Sequence, residues 1–256
     1  MTLNTLLTED DSRNILANGV QFVQGTSASM HALNRVIDDI APTDIPVLLV
    51  GESGTGKEVV ALEIHRRSRR FNEPVLKCAC GSSVPSWLMR PLNANSHRGS
   101  GASLGTIFLD EVDRLDADNQ NTLLEFLPDN SGMSTEHFST ARMISATTHN
   151  LETDVRAQRF REELYYRING ITLRLEPLRK RKEDIPVLLE FFLTGYSSLF
   201  GRSERRLGAT TIDHLLRYSW PGNVRELSNV ARNIVVLGDE QLAIRDLPIH
   251  NPSGYE

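Results

Sequence analysis

The sequence predicts an α/β fold with a parallel five-stranded sheet flanked by helices, followed by a small α-helical domain. Five short segments rich in Val, Ile and Leu are typical of the buried strands of a parallel sheet. The segments between them carry apolar residues at spacings of three and four, as helices that cover a sheet require. After residue 184 the strand pattern stops and helical segments follow, which indicates a second domain.

The elements follow one another along the chain in a simple order. The predicted strands are residues 45–50, 74–79, 106–110, 141–147 and 170–175. Helices are predicted at 57–70 and 116–127 within the α/β part, and at 183–200, 210–219 and 223–237 in the helical part. We therefore expect an N-terminal extension (1–22), an α/β subdomain (23–176), a helical subdomain (177–247) and a C-terminal tail (248–256).

Composition and charge exclude several classes of protein. The 256 residues carry a formal net charge of -5, which does not indicate a globally basic nucleic-acid binder. No apolar run approaches the ~20 residues that cross a bilayer, and the polar start lacks the order of a secretory signal. We therefore expect no membrane partner and a cytoplasmic location. Cys78 and Cys80 have no second pair at zinc spacing and are expected to be reduced core residues.

The segment GESGTGKE, residues 51–58, follows the first predicted strand and opens a helix. This context favours a phosphate-binding loop, because its glycines let backbone N–H groups turn inward and the helix N-terminus adds positive partial charge. A glycine-rich turn with an exposed lysine is the structural alternative. The residues predicted to bind phosphates, with Lys57 reaching the outer ones, are Gly51, Glu52, Ser53, Gly54, Thr55, Gly56, Lys57 and Glu58.

Two adjacent carboxylates, Asp110 and Glu111, end the third predicted strand. The carboxyl ends of parallel strands point toward the crevice where ligands bind in open α/β sheets. Asp110 can hold magnesium through water, and Glu111 can polarise an attacking water. Glu58 occupies the position where phosphate loops usually place a Ser or Thr ligand of magnesium, so we expect the metal to depend on Asp110. A strand that ends in solvated charges is the alternative.

Five motifs occur along the chain in the order GESGTGKE, TIFLDEVDRL, RFREELYYRING, LEPLRKRKEDIPVLL and WPGNVREL. Together they resemble the AAA+ ATPase domain of bacterial sigma-54-dependent transcriptional activators, also called enhancer-binding proteins, over residues 23–247. The resemblance implies an AAA+ P-loop NTPase with a helical lid that uses ATP and Mg2+. It also implies a ring-type homo-oligomer, a hexamer when active. RNA polymerase or a sigma factor is the implied partner, and DNA would be contacted only through a domain outside this chain.

The same resemblance assigns roles to four further residues. Arg161 and Arg167 are candidate arginine fingers, offered to the γ-phosphate of the next subunit. Arg225 is the sensor arginine of the lid, and Thr148 occupies a polar sensor position that is often Asn. Such fingers can be worth ~10³–10⁵ in rate because they neutralise charge that develops in the transition state. From the residues alone, Arg167 could instead pair with Glu163 on a helix surface, and Arg161 could be solvated.

The helix predicted at 223–237 supports one of these assignments independently of the family. Asn223 followed by Glu226 resembles an N-cap residue with its reciprocal acid. Arg225 then lies in the first turn, where the helix macrodipole disfavours a cation unless an anion such as phosphate is near. A DNA-binding helix-turn-helix over 210–236 is the rival interpretation, which the match of WPGNVREL to the family's lid disfavours.

The sequence departs from the family pattern at three places. The mobile loop with the motif GAFTGA, which contacts sigma-54 in activators, has no counterpart between Cys78 and Asp110. Lys77 replaces an asparagine that couples the catalytic glutamate to the nucleotide state, and Thr148 replaces the sensor Asn. We therefore expect ATP binding with slow hydrolysis and no direct remodelling of sigma-54 polymerase. We also expect an ion pair between Lys77 and Glu111 that holds this carboxylate away from water.

The basic clusters at residues 65–70 and 179–182 are predicted to be solvated surface, and His65 is treated as a surface or loop residue. Three functional classes then compete. The first is an active ATPase domain of a transcription regulator. The second is a nucleotide-responsive oligomerisation module with vestigial hydrolysis. The third is another phosphate-loop enzyme, such as a small-molecule kinase, which the paired arginines and the helical lid disfavour.

Overall fold

The sheet has the predicted strands. The computed structural model describes residues 21–80, 105–127, 141–203, 206–245 and 247. The strands are β1 (Val47–Val50), β2 (Val75–Ala79), β3 (Thr106–Asp110), β4 (Arg142–Thr147) and β5 (Ile171–Arg174). All neighbouring pairs are parallel, in the order β2-β3-β4-β1-β5. The prediction of a parallel five-stranded sheet is confirmed.

Helices form close to all five predicted positions, and the described residues contain four further α-helices that were not predicted. In the first part of the chain they are α1 (Ala28–Ile40), α2 (Lys57–Arg66), α3 (Ala117–Phe126), α4 (Leu151–Arg156) and α5 (Glu162–Ile168). After β5 the described residues form α6 (Ile185–Leu199), α7 (Ala209–Arg217), α8 (Asn223–Leu237) and α9 (Glu240–Ile244). In these described ranges, no helix is both long enough and apolar enough to cross a membrane.

The described residues form two compact units. The first comprises Val36–Gly51 and the described residues of Lys57–Arg174, and it contains the sheet. The second comprises Gln21–Arg35, Glu52–Gly56 and the described residues after Arg174. Most of the predicted N-terminal extension and the whole predicted tail lie outside the described residues.

The sheet unit is built on alternating side chains. Leu76, Cys78, Ile107 and Leu109 face one side of the sheet, where they join an apolar cluster that also contains Leu164 and residues of α3 and α4. The opposite face is contacted by α2, which packs against β1, β3 and β4. Because successive residues of a strand point to opposite faces, the intervening positions of β2 and β3 belong to the side that α2 covers.

The helical unit has its own core. Trp220 is fully buried among α6, α7 and α8 residues, and its Nε1–H donates to the Leu215 carbonyl at 2.9 Å. Asp184, also fully buried, accepts hydrogen bonds from the Ser27 backbone N–H at 2.7 Å and the Ser27 hydroxyl at 2.9 Å. These two bonds attach the segment before α1 to this unit. Gly25 allows the approach, since a Cβ there would lie 2.5 Å from Asp184 Oδ1.

The prediction that both basic clusters are solvated surface is wrong for two of their basic residues. His65 is buried, with Nδ1 2.9 Å from Thr106 Oγ1. Arg181 is buried as well and donates to the Thr55 carbonyl at 2.8 Å. Helix periodicity places His65 on the face of α2 that covers the sheet. The basic residues that follow His65 made the whole segment look like solvated surface.

Candidate functional site

The carboxyl edge of the sheet brings together the segments that the sequence singled out. Gly51 follows β1, and its N–H donates to the Thr147 carbonyl at the end of β4 at 3.2 Å. Asp110 ends β3, which lies next to β4. Neighbouring strands are about 4.8 Å apart, so β3 lies roughly 10 Å, two strand spacings, from the strand that precedes the loop. A loop and a carboxylate at the same edge of a parallel sheet can act on one bound ligand.

The loop glycines have two different surroundings. Gly54 and Gly56 have φ values of 77° and 101°, in the left-handed region that favours glycine. A Cβ at Gly54 would lie 2.3 Å from the Gly222 carbonyl oxygen, so only glycine fits there. A Cβ at Gly56 would meet no atom of the described residues within 4 Å. Open space beside a turned backbone N–H is what an incoming phosphate requires.

Lys57 is the first residue of α2, directly after this loop. It is 8% exposed, and its Nζ donates to the Gly51 carbonyl at 2.7 Å. The ammonium is therefore held at the carboxyl end of β1, next to the N-terminus of α2. A helix N-terminus and a lysine together form a site of positive charge.

Asp110 and Glu111 differ in their surroundings. Burial raises the pKa of Asp110, and among the charges around it the Lys77 ammonium lowers that pKa most strongly, against the opposing carboxylates of Glu58 and Glu111. Glu111 has a left-handed backbone with φ 58° and ψ 47°, and Oε2 lies 3.2 Å from Arg114 Nη1. A non-glycine residue in this region costs of order 1–3 kcal/mol and is common at functional sites.

The predicted ion pair between Lys77 and Glu111 is wrong. Lys77 Nζ instead lies 2.6 Å from Glu58 Oε1, at the first turn of α2. Lys77 and Glu58 share the α2 face of the sheet, whereas Glu111 follows the end of β3 and turns toward the Val112–Arg114 turn. Glu58, at the usual Ser or Thr position of phosphate loops, therefore contacts Lys77, which replaces the asparagine of the family.

Thr148 follows β4 and is exposed; its backbone N–H lies 3.4 Å from Asp113 Oδ1. The same oxygen accepts a hydrogen bond from the Thr147 hydroxyl at 2.6 Å, and the Asp113 side chain is 2% exposed. His149 Nδ1 lies 3.5 Å from the other oxygen of Asp113. Asp113 thus connects the turn after Glu111 to the end of β4. Nothing in the sequence pattern distinguishes Asp113 from an exposed acid, so only the structure identifies this connection.

The two candidate finger arginines have different environments. Arg167 pairs with Glu163, and its Nη1 donates to the carbonyls of Leu124 and Leu127, each at 2.9 Å. Its guanidinium therefore caps the end of α3. Arg161 precedes α5 and is exposed, and its side chain has no hydrogen bond or ion pair with any residue in the described part of the chain.

Asn223 has a different role from the predicted N-cap. It is the first residue of α8, and Gly222 precedes the helix instead. Glu226 accepts from the Gly222 N–H at 2.8 Å, so the reciprocal acid is present but serves Gly222. Asn223 is fully buried; its Oδ1 accepts from the Leu178 N–H at 2.8 Å, and its Nδ2 donates to the Ser53 carbonyl at 3.0 Å. It therefore links the phosphate-loop segment to the helical core.

Arg225 lies in the first turn of α8, as predicted. Its Nη1 donates to Ser53 Oγ at 2.9 Å, and it forms no ion pair with a carboxylate in the described ranges. Arg179, to which no site was assigned, donates from Nη1 to Glu52 Oε2 at 2.7 Å. This bond lowers the pKa of Glu52 to about 2. Arg179 and Arg225 thus contact the loop residues Glu52 and Ser53, which belong to the same compact unit.

Comparison with known families agrees with this geometry. The Sigma-54 interaction domain family matches residues 23–174, more than half of the chain. The chain belongs to the Sigma-54 interaction domain family. The AAA+ ATPase lid domain family matches residues 179–253. The family resemblance that the sequence motifs carried is confirmed, and so is the predicted fold of a P-loop domain with a helical lid.

Several relatives of this Sigma-54 interaction domain are transcription regulators. The transcriptional regulatory protein ZraR of Klebsiella oxytoca is 37% identical over 242 residues, which cover 88% of this chain and 55% of ZraR. The Sigma54-dependent transcriptional activator SfnR of Pseudomonas putida is 36% identical over 237 residues, covering 86% of this chain and 65% of SfnR. The chain therefore spans between half and two thirds of the length of these relatives.

A solved structure of NtrX from Brucella abortus in complex with ATP has the same fold. Its TM-score is 0.73 at 31% identity, covering 89% of this chain and 56% of that chain. The segment of the Sigma-54 interaction domain in which a GAFTGA loop is expected to be missing, residues 81–104, lies outside the described residues.

The donor set of the domain fits Mg2+ only together with phosphate. In the described part of the chain, no group of three or more His, Cys, Asp or Glu could hold a metal ion. Mg2+ is usually bound through one or two carboxylates plus substrate phosphates. Asp110 at the end of β3 suits that mode, and Glu58 has its carboxylate occupied by Lys77.

Proposed function

We propose that this domain binds ATP through the loop of residues 51–57 and hydrolyses it, within a bacterial transcription regulator that works as a ring-type homo-oligomer. The observation that carries the proposal is the sheet edge: Lys57 begins α2 directly after the loop that follows β1, and Asp110 ends β3 two strands away. Phosphate-loop NTPases use this arrangement to hold a triphosphate and its metal. The likeness to NtrX solved with ATP supports the choice of nucleotide.

The surroundings of Lys57, Arg225 and Asp110 support their proposed roles, and the roles of Glu111 and Thr148 rest on the family resemblance. Lys57 would move from the Gly51 carbonyl to the outer phosphates, and Arg225, a cation in the first turn of a helix, would gain the anion that it lacks. Asp110 would hold Mg2+, which when bound neutralises charge on the β- and γ-phosphates. Glu111 would orient the attacking water, and Thr148 is the proposed polar sensor.

Arg161 is the better of the two finger candidates. A finger must reach the γ-phosphate of a neighbouring subunit, so its guanidinium has to be available. Arg167 is committed to Glu163 and to two carbonyls of its own chain, whereas Arg161 is exposed. Hydrolysis would then depend on assembly.

The test is ATP turnover per protomer measured over a range of protein concentrations. Turnover should rise with concentration as protomers assemble, and Lys57→Ala and Glu111→Gln should abolish it. Arg161→Ala should lower it by ~10³ because the charge of the finger is lost. Arg232→Ala, which removes an exposed arginine on α8, is the matched control and should have no effect. Turnover that Arg161→Ala leaves unchanged would contradict the finger assignment.

A nucleotide-responsive oligomerisation module with vestigial hydrolysis is the second candidate. It is favoured by Glu111, whose carboxylate is paired with Arg114 rather than directed at a free crevice. In that case, sedimentation should detect nucleotide-dependent oligomers while turnover stays at background. Arg114→Ala should then raise turnover by releasing Glu111.

We infer from the sequence that the domain does not remodel sigma-54 polymerase directly. The segment between Cys78 and Asp110 contains no GAFTGA-like motif. Mixing the protein with sigma-54 RNA polymerase and an ATP transition-state analogue should give no complex in gel filtration. A stable complex would contradict this part of the proposal.

A further inference from the structure

Lys77 projects from the same face of the sheet as Asp110. The parallel register pairs Cys78 with Leu109 and Ala79 with Asp110. Cys78 and Leu109 both belong to the apolar cluster on the opposite face. Because side chains alternate along a strand, Lys77, which pairs with Phe108, projects from the α2 side as Asp110 does, two residues before it in register.

Glu58 holds the Lys77 ammonium at the start of α2. The Nζ–Oε1 distance is 2.6 Å, and Glu58 is the second residue of that helix, next to Lys57. The side chains of Lys77 and Glu58 are 34% and 42% exposed, so a ligand can reach both. A second ammonium thus lies beside the helix turn that opens after the phosphate loop.

The Lys77 ammonium offsets part of the negative charge at this edge of the sheet. Three carboxylates, those of Glu58, Asp110 and Glu111, gather at this edge and would repel a triphosphate. Lys57 alone offsets one of them, and Lys77 offsets a second. Lys77 is also the cation that acts most strongly on Asp110. The Lys77 ammonium is therefore a second cation, besides Lys57, among these carboxylates.

We propose that Lys77 is a second lysine of the nucleotide site, whose ammonium supplies a fixed positive charge beside Asp110 and the phosphates, so that nucleotide binding depends little on Mg2+. The inference rests on the proposed ATP site. It relates two positions that contact each other: Glu58 stands where phosphate loops usually place the hydroxyl ligand of the metal, and its carboxylate pairs with Lys77 when no nucleotide is bound.

The test is equilibrium binding of a fluorescent ATP analogue, mant-ATP, in excess Mg2+ and in excess EDTA. The wild-type dissociation constants should agree within ~10-fold, equivalent to about 1.4 kcal/mol. Lys77→Met should weaken binding in EDTA by a further ~10-fold or more and should weaken binding in Mg2+ much less. Lys77→Arg should retain the wild-type ratio of the dissociation constants in EDTA and in Mg2+. Lys182→Met, which removes an exposed lysine outside this cluster, is the matched control and should not change it.

Each outcome separates the inference from the proposed function. A wild-type protein that binds mant-ATP in Mg2+ but loses ~100-fold or more in EDTA overturns the inference alone. Equal weakening of Lys77→Met in both conditions also overturns it, because Lys77 would then act independently of the metal. A wild-type protein that binds in neither condition overturns the proposed ATP site as well.

Two measurements keep the test decisive if Lys77→Met does not fold, as judged by circular dichroism. The wild-type ratio of the two dissociation constants needs no variant. Glu58→Gln removes a carboxylate and frees the ammonium for phosphate, so it should strengthen binding in EDTA. Weaker binding of Glu58→Gln in EDTA would refute the role of the pair.

Discussion

Replacement of Asn223 should destabilise the helical unit strongly. Its side chain is fully buried and its backbone is left-handed, with φ 53°. Oδ1 accepts from the Leu178 N–H at 2.8 Å, while Nδ2 donates to the Ser53 carbonyl at 3.0 Å and lies 3.3 Å from Glu52 Oε2. One amide therefore satisfies backbone groups of two segments that are far apart in sequence.

The magnitude follows from these contacts. Asn223→Ala leaves the buried Leu178 N–H unpaired, which costs about 1–3 kcal/mol, and removes the bond to Ser53, worth about 1 kcal/mol. Alanine in the left-handed region adds about 1 kcal/mol, a penalty that asparagine largely avoids. The free energy of unfolding should therefore fall by about 3–5 kcal/mol. Asn223→Gly loses the same bonds without the backbone penalty and should be more stable than Asn223→Ala by about 1 kcal/mol.

The assay is urea unfolding followed by the fluorescence of Trp220, which is buried in the helical core. A Trp87→Phe background removes the other tryptophan of the chain. Asn229→Ala, at an exposed position of the same helix, is the matched control and should change stability by less than about 0.5 kcal/mol. The reasoning is refuted if Asn223→Ala costs less than about 1 kcal/mol, or if it is more stable than Asn223→Gly.

Three further predictions concern the loop and the buried histidine. Gly54→Ala places a Cβ 2.3 Å from the Gly222 carbonyl oxygen at a φ of 77°. A fluorescence titration should therefore show mant-ATP affinity reduced by ~10-fold or more. Unchanged affinity would contradict the loop geometry. Burial lowers the pKa of His65 to about 4 from an unfolded value of 6.5. Stability should therefore be complete above pH 6.5 and decline by up to about 3 kcal/mol as the pH falls to 4, and urea unfolding of His65→Gln should lack this decline. The bond from Arg179 lowers the pKa of Glu52 to about 2 from 4.5, so the stabilisation is present above pH 4.5 and is lost as the pH falls toward 2. Because this pair is exposed, thermal unfolding of Glu52→Gln should differ from wild type by less than about 1 kcal/mol at pH 6 and by still less at pH 2.5.

Most of the fold could be predicted from local pattern. The strands appear as short apolar runs because both faces of a parallel sheet are covered, and the helices appear as apolar spacings of three and four. The phosphate loop could be identified because its glycines and Lys57 lie within a few residues of one another, between a strand and a helix. The placement of Asp110 at the ligand-binding edge follows from strand direction alone.

The partners of charged side chains could not be predicted in the same way. Many acids in the sequence could pair with Lys77, and the predicted partner, Glu111, is wrong. The partner is Glu58, 19 residues earlier in the chain. Asn223 was assigned to a helix cap because capping is the local role of asparagine, yet it binds the loop segment some 170 residues away.

The sequence by itself therefore determined the sheet, the helices, the loop and the family of this protein, because these depend on neighbouring residues and on backbone hydrogen bonding. Only the tertiary structure decided which charges meet. The acid or carbonyl that a side chain contacts depends on which elements pack beside it. Strand register, sheet order and helix packing determine those neighbours. The pair of Lys77 with Glu58 exists because α2 covers the face of the sheet from which Lys77 projects.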